Sequence, residues 1–183
     1  MATSQQRQQL AKKRKKEEQQ LAKLRKTIVR HYTKPHWLEK ILADGVIKTE
    51  GSNLTSKEPN YKSLMLQYRL IGRYVWFTED TADSVVIQQR EVGITSADLP
   101  FFEFNAANIK IERWPDVRKR LAGNALLFAK ILDDAATANG DKPNKWWVSK
   151  RPVSLEKMIR VVRGTAAADK MMNPYESIFK EDK

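Results

Sequence analysis

The sequence predicts an α+β domain with a mixed, mostly antiparallel sheet, flanking helices and a basic N-terminal helical arm. Short segments rich in β-branched and aromatic residues alternate irregularly with segments of helical periodicity. The chain has neither βαβ regularity nor a glycine-rich phosphate loop, which argues against a dinucleotide-binding fold of the doubly wound type. With 183 residues and 41% apolar side chains, the chain is long enough to bury a core of ordinary domain size.

The basic residues are concentrated at one end of the chain. The formal net charge is +12, and residues 1–30 carry ten basic side chains against two acidic ones, a net charge of +8. We therefore divide the chain into a basic helical arm at 1–26, a domain at 27–165 and a peripheral C-terminal tail at 166–183.

The arm is rich in helix formers and has no Gly or Pro between residues 4 and 26, which predicts a solvated helix. Its basic cluster consists of Lys12, Lys13, Arg14, Lys15 and Lys16. Such a cluster attracts nucleic-acid phosphates, because binding releases counterions. In a eukaryotic cell the same cluster would be a nuclear import signal. A solubilising extension without a specific partner is the alternative interpretation.

Several classes of protein and site are disfavoured by composition. The absence of cysteine excludes disulfides, thiolate catalysis and cysteine-ligated metals. We predict no metal site, because His31 and His36 are expected in different environments. No apolar run approaches the roughly 20 residues that span a bilayer, and no segment has the pattern of a signal peptide. We expect a protein without a membrane partner, located in the cytoplasm of a bacterium or phage-infected host cell, or in the nucleus of a eukaryote.

The first elements of the domain are a strand and a helix. Residues 27–32 are rich in β-branched side chains and predict a strand. Thr33 can cap a helix that has Pro35 in its first turn and ends at Gly45. A long polar loop is predicted at 49–63, and loops of that length are often functional.

Further strands are predicted at 73–80, 101–105, 108–113, 145–150 and 158–164. Between them, Asp116 can cap one long helix that ends near Gly140. Its predicted apolar face consists of Val117, Leu121, Ala125, Phe128, Ile131 or Leu132, and Ala135.

Two motifs suggest a family. "HYT" at 31–33 precedes a helix with the pattern L-x-x-I-x-x-x-G, and "VWFT" at 75–78 is followed by Thr-Ala at 81–82. This combination resembles the ADP-ribosyltransferase-like fold, in particular small bacterial and phage-type members. The resemblance covers about residues 28–160, although its specific part is about a dozen positions. It implies a split sheet and NAD as co-substrate. It places the dinucleotide contacts in the two motifs, on His31, Tyr32, Thr33, Trp76, Phe77, Thr78 and Thr81.

The resemblance also implies which roles these residues have. A strand-end histidine, here His31, binds the adenosine ribose, a neighbouring hydroxyl or backbone group at Thr33 contacts the nicotinamide amide, and Trp76 with Phe77 packs on the nicotinamide ring. Independently of the resemblance, a dinucleotide held without a glycine-rich loop needs a neutral donor-acceptor and flat apolar walls.

The third motif of the family departs from the usual pattern. A glutamate is expected on a late strand, but that strand contains Trp146 and Trp147. The nearest acid in sequence is Glu156, which we predict as catalytic together with Arg151, and Glu103 is the alternative. A degenerate third motif, which would imply loss of transfer activity or a chemistry that needs no acid, is the remaining interpretation. RNA 2′-phosphotransferases of the same superfamily rely on basic residues and histidine, and Arg30, Arg73 and Arg151 would suit that chemistry.

Three functions remain in view. The first is an NAD-dependent ADP-ribosyltransferase that modifies a nucleic acid or a nucleic-acid-associated protein. The second is a non-catalytic nucleic-acid-binding protein that retains the fold. The third is a phage structural or accessory protein whose arm docks into a larger assembly.

Overall fold

The structure of the chain is a computed structural model. It describes residues 4–33, 35–49, 73–79, 97–138 and 140–165, apart from the side chain of His36. Most of the predicted loop at 49–63, the predicted contact residue Thr81 and the tail at 166–183 lie outside the described residues.

The described strands form two sheets. The larger sheet has six strands in the order β5-β6-β3-β1-β4-β8, and the smaller sheet pairs β2 with β7. All pairings between these strands are antiparallel. The bounds are β1 Ile28–Tyr32, β2 Val46–Ile47, β3 Val75–Thr78, β4 Phe101–Asn105, β5 Glu112–Arg113, β6 Trp146–Ser149, β7 Val153–Ser154 and β8 Met158–Val162.

Four α-helices accompany these sheets in the described part of the chain. They are α1 Ser4–Lys26, α2 Pro35–Asp44, α3 Trp114–Arg118 and α4 Gly123–Ala138. The predicted α+β class with a mostly antiparallel sheet is confirmed. The arm is helical as predicted, and Gly45, with a φ of 65°, follows the last residue of α2.

Two predicted elements differ from the structure. The single long helix after Asp116 is wrong, because α3 ends at Arg118 and Gly123 adopts a left-handed φ of 56° where α4 begins. The strand predicted at 108–113 is reduced to Glu112–Arg113, the two residues that pair with β6. Ile109 and Ile111 pack against the core from an irregular segment instead.

Alternating side chains of the large sheet bury two separate cores. The first core, on one face, contains Val29, Val75, Phe77, Phe102, Phe104 and Trp147, with Leu38, Ile41 and Leu42 of α2 packed against it. The second core, on the opposite face, contains Tyr74, Trp114, Trp146 and Val148 with the inner sides of α3 and α4. Strands β3 and β6 contribute to both cores, since successive side chains of a strand point to opposite faces.

Helix α1 extends from the domain with little burial. Among its residues only Leu24 is partly buried, and it packs against the first core. The Nδ2 group of Asn105, at the end of β4, donates to the Arg25 carbonyl oxygen at 2.6 Å. The arm is therefore attached at its C-terminal turn. No helix in the described ranges combines the length and the apolar character needed to cross a bilayer.

Candidate functional site

The candidate site is the C-terminal end of β1, where the H-Y-T motif leads into α2. Strand β1 is an inner strand between β3 and β4, with His31 opposite Phe102. His31 points to the face of the first core, whereas Tyr32 points to the other face. Thr33 is buried, and its backbone N–H donates to the carbonyl oxygen of Pro100 at 3.0 Å. The motif is thus fixed between two neighbouring segments of the fold.

The imidazole of His31 has a defined orientation and tautomer. Its Nδ1 lies 2.9 Å from the carbonyl oxygen of Trp76. Because a carbonyl oxygen only accepts, Nδ1 carries the proton and donates, and Nε2 of the neutral ring is left as an acceptor. Within the described residues, no hydrogen bond to Nε2 is found.

Aromatic side chains surround the His31 ring. The ring centroid of Phe77 lies 5.7 Å away and that of Phe102 lies 6.5 Å away. Burial lowers the pKa of His31, although the hydrogen bond with the Trp76 carbonyl opposes this effect. His31 is consequently neutral at physiological pH, the state in which one ring nitrogen donates and the other accepts.

The two aromatic residues predicted to pack on nicotinamide lie on opposite faces of β3. Phe77 belongs to the first core and faces His31. The Trp76 ring packs in the second core, with its centroid 4.8 Å from that of Trp114 and 5.7 Å from that of Trp146. Thr78, on the same face as Trp76, is 4% exposed. Of the Trp76 groups, only the backbone carbonyl therefore contacts His31.

Of the two predicted catalytic residues, Glu156 lies apart from the H-Y-T turn, whereas Arg151 follows β6 at the end of the sheet where β1 also ends. Arg151 is exposed after β6, where its N–H and carbonyl oxygen bond the Ser149 hydroxyl. Glu156 is exposed in a 3₁₀ turn at Leu155–Lys157, and the N–H of Leu155 donates to the Gly45 carbonyl oxygen. Gly45 follows α2 while Thr33 precedes it, and a ten-residue helix is about 15 Å long. Glu156 is thus near the end of α2 remote from the motif.

A charged cluster occupies the opposite face of β1, β4 and β8. It is not predicted from the sequence. The Glu103 carboxylate, 7% exposed as a residue, accepts from Arg30 Nε at 3.0 Å and from Arg160 Nε at 3.1 Å. The Arg30 guanidinium also lies 5.4 Å from the ring centroid of Phe101. Because Arg30 and His31 point to opposite faces, this arginine does not share a site with the imidazole.

The sequence does contain a signal for this cluster. In β4 and β8, Glu103 and Arg160 each lie between two apolar neighbours, and in β1 Arg30 follows the apolar pair Ile28 and Val29. Such a residue in the middle of an apolar strand indicates a cross-strand partner, since an isolated charge is costly to bury. The strand order that makes them adjacent is supplied only by the structure.

A second polar region lies beside α3 and α4. Asp133, which is buried, accepts from the indole N–H of Trp114 at 2.7 Å and from the guanidinium of Arg118. Asp133 and Arg118 border a surface cavity of about 460 Å³ that is also lined by Asp141 and Lys142. Asp133 joins the two helices, so a structural role accounts for it. Across the described ranges, no three side chains of the types that ligate metals lie close enough together to hold an ion.

Comparison with known proteins adds no family to this description. The chain has no significant match to a protein-family model, a curated protein or a solved structure.

Proposed function

We propose that the chain is an NAD-dependent ADP-ribosyltransferase-like protein that binds NAD at the H-Y-T turn and modifies a nucleic acid or a nucleic-acid-associated protein. The observation that supports this proposal best is the neutral His31 imidazole, whose Nδ1–H is engaged by the Trp76 carbonyl. Its Nε2 is then an acceptor suited to a ribose hydroxyl.

The contacts around His31 suggest how the dinucleotide is held. A ribose hydroxyl donates to Nε2, and the hydroxyl or carbonyl oxygen of Thr33 contacts the nicotinamide amide, since the Thr33 N–H already donates to Pro100. Of the two aromatic residues in the second motif, Phe77 shares a face with His31 and serves as the apolar wall. Trp76 supports the site indirectly, because its carbonyl orients the imidazole. Phe77 thus forms the apolar wall of the site, and Trp76 positions the imidazole.

Transfer requires stabilisation of positive charge on the ribose as the bond to nicotinamide breaks. A carboxylate close to the sugar would supply it. Glu103 is on the opposite face and ion-paired with two arginines, whereas Glu156 is remote from His31 by the length of α2. We retain Glu156 and Arg151 as the residues to test. Release of nicotinamide from NAD, measured for Glu156→Gln and Arg151→Gln, identifies their contribution to transfer separately from binding.

Calorimetric titration with NAD tests the binding step. The salt concentration is set near 1 M, where the Debye length is about 3 Å, so that phosphate attraction to the arm is screened. His31→Asn retains a donor near the Nδ1 position and removes the Nε2 acceptor. We expect saturable binding by the unsubstituted chain and a loss of at least about tenfold in affinity for His31→Asn, since the ribose hydroxyl loses its acceptor.

Leu127→Ala is a suitable control for this titration. Leu127 is 55% exposed on α4, which packs on the face opposite to His31. The affinity of the Leu127→Ala variant for NAD should equal that of the unsubstituted chain. Equal NAD affinity in His31→Asn and the unsubstituted chain would refute the proposed site, as would no saturable heat in any of the three proteins.

The exposed arm favours nucleic-acid binding as the second candidate function. Helix α1 has no fully buried residue, and its basic side chains are available to a polyanion. A protein that binds nucleic acid at moderate salt but gives no heat with NAD would be a non-catalytic member of this architecture.

A further inference from the structure

The basic residues of α1 are unevenly distributed around the helix. At about 100° per residue, five lysines occupy one sector of roughly 100°. This lysine stripe consists of Lys12, Lys15, Lys16, Lys23 and Lys26. The other side chains in the sector are Gln5, Gln8 and Gln19. Glu17 and Glu18, the two acidic residues of α1, lie outside the sector, and Glu17 pairs with Lys13 at 3.9 Å.

The attachment of α1 determines which way the stripe faces. Leu24 packs against the first core, so its side of the helix is turned towards the domain. The centre of the lysine stripe lies about 130° around the axis from Leu24. All five lysines are exposed. The stripe therefore faces away from the domain, with no acidic side chain in its sector.

The dimensions of the stripe match the backbone of a nucleic-acid duplex. From Lys12 to Lys26 the helix rises about 21 Å, at 1.5 Å per residue. The same length of double-stranded DNA carries about 12 phosphate charges, at one per 1.7 Å. Two groups of lysines about 15 Å apart can thus contact phosphates that are about four to five base pairs apart along the duplex.

The composition of α1 argues against other polyanions. Proteins that bind single strands stack bases on aromatic side chains, and α1 has none. Helices that lie in a membrane surface need a substantial apolar face. Helix α1 has only three leucines, and one of them, Leu24, already packs against the domain. Leu10 and Leu21 remain, with exposures of 52% and 44%.

We infer that the lysine stripe of α1 is a sequence-independent docking surface for the phosphate backbone of double-stranded nucleic acid. This inference deepens the nucleic-acid part of the proposed function, and it does not depend on NAD binding. DNA and RNA duplexes share the recognised chemistry, so both are included in the test.

Two variants of the full chain, each four charges less positive, test the inference. The stripe variant carries Lys12→Gln, Lys15→Gln, Lys16→Gln and Lys23→Gln. The control variant carries Arg7→Gln, Lys13→Gln, Arg14→Gln and Arg25→Gln, which lie on the other sides of α1. Lys, Arg and Gln have similar helix propensities, so circular dichroism should show unchanged helix content.

Binding to a labelled duplex of about 20 base pairs, roughly 68 Å long, is measured over a series of salt concentrations. We expect the stripe variant to lower the magnitude of the slope of log K against log salt by about 3.6, four phosphate contacts at 0.9 each. The control variant should lower it by less than about 1. Comparison of RNA and DNA duplexes in this measurement shows which duplex the protein prefers.

Four results would overturn the inference. Equal losses in the two variants would show that the whole arm acts as a diffuse charge, and unchanged slopes in both would show that the arm does not dock on nucleic acid. Tighter binding to a single strand of the same length would exclude the duplex. Stripe-dependent binding to phosphatidylserine vesicles, without binding to duplexes, would make a membrane surface the partner. NAD titrations of both variants at high salt test the proposed nucleotide site independently of these results.

Discussion

Glu103 illustrates how one buried carboxylate is kept ionised in the middle of the sheet. Burial by itself would raise its pKa, but hydrogen bonds from Arg160 and Arg30 outweigh this effect and hold the pKa below the ordinary value. Both arginines belong to neighbouring strands, so the carboxylate links β1, β4 and β8 through side chains as well as through the backbone. Its charge should therefore contribute to stability.

We predict that Glu103→Gln lowers the free energy of unfolding at pH 7 by about 1–3 kcal/mol, because two arginines lose a charged acceptor. The folded pKa of Glu103 is lower than the unfolded value near 4.5. The stabilisation is therefore fully present above about pH 4.5 and is lost as the pH falls through the folded pKa. Urea denaturation of both proteins between pH 3 and 7, at about one-unit intervals, measures this difference.

Glu112→Gln is the matched control for this substitution. Glu112 accepts from Arg120, but both side chains are about half exposed, at 49% and 58%. An exposed ion pair contributes less than about 1 kcal/mol. If Glu103→Gln cost no more than Glu112→Gln at pH 7, the cross-strand cluster would not stabilise the sheet.

At the scale of elements, α1 is separable from the stability of the domain. Of its apolar residues only Leu24 reaches the first core, and the hydrogen bond from Asn105 is made to the backbone of Arg25. The preceding turns bury no side chain fully. The helix therefore adds charge and length to the domain and little packing.

Deletion of residues 1–20 should leave the urea midpoint of the domain nearly unchanged. The deleted segment has no buried side chain among its described residues, and Leu24 and Arg25 remain in place. We expect a change within about 0.5 kcal/mol in the free energy of unfolding, as for surface substitutions. A loss greater than about 1 kcal/mol would show that the first turns of α1 pack against the domain.

The elements could be predicted where local pattern determines them. The sequence predicts a strand at residues 101–105, and β4 has the same bounds, since Phe102 and Phe104 flank Glu103 at alternate positions in an aromatic segment. The break between α3 and α4 was missed, because the apolar periodicity continues through Leu121 and Ala125 while Gly123 takes a left-handed φ. Helical spacing alone does not reveal such a break.

The candidate site could be predicted only in part for a similar reason. The motif located His31 at the end of a strand, which the structure confirms. Its hydrogen bond joins the imidazole to a backbone carbonyl 45 residues away, and its register opposite Phe102 depends on a strand order that no local pattern specifies. The same holds for the pairing of Glu103 with Arg160, which are 57 residues apart. Their adjacency follows from topology.

At the scale of the whole molecule, the large sheet joins the two cores into one unit. Val75 and Phe77 enter the first core, whereas Tyr74 and Trp76 contact the second. In β6, Trp147 belongs to the first core and Trp146 to the second. Neither core can lose its strands without exposing the other, so we expect a single unfolding transition.

Phe104→Leu tests this coupling, because Phe104 is fully buried in the first core and contacts Phe77 edge to face, with ring centroids 5.7 Å apart. We expect a loss of about 1–2 kcal/mol. Three of the five tryptophans lie in or against the second core, so fluorescence reports mainly on the face that is not mutated. The fluorescence midpoint and the far-ultraviolet circular dichroism midpoint in urea should shift together to the same lower value. A fluorescence transition that stays at its original midpoint while the dichroism shifts would show that the two faces unfold independently, and the sheet would then not couple them.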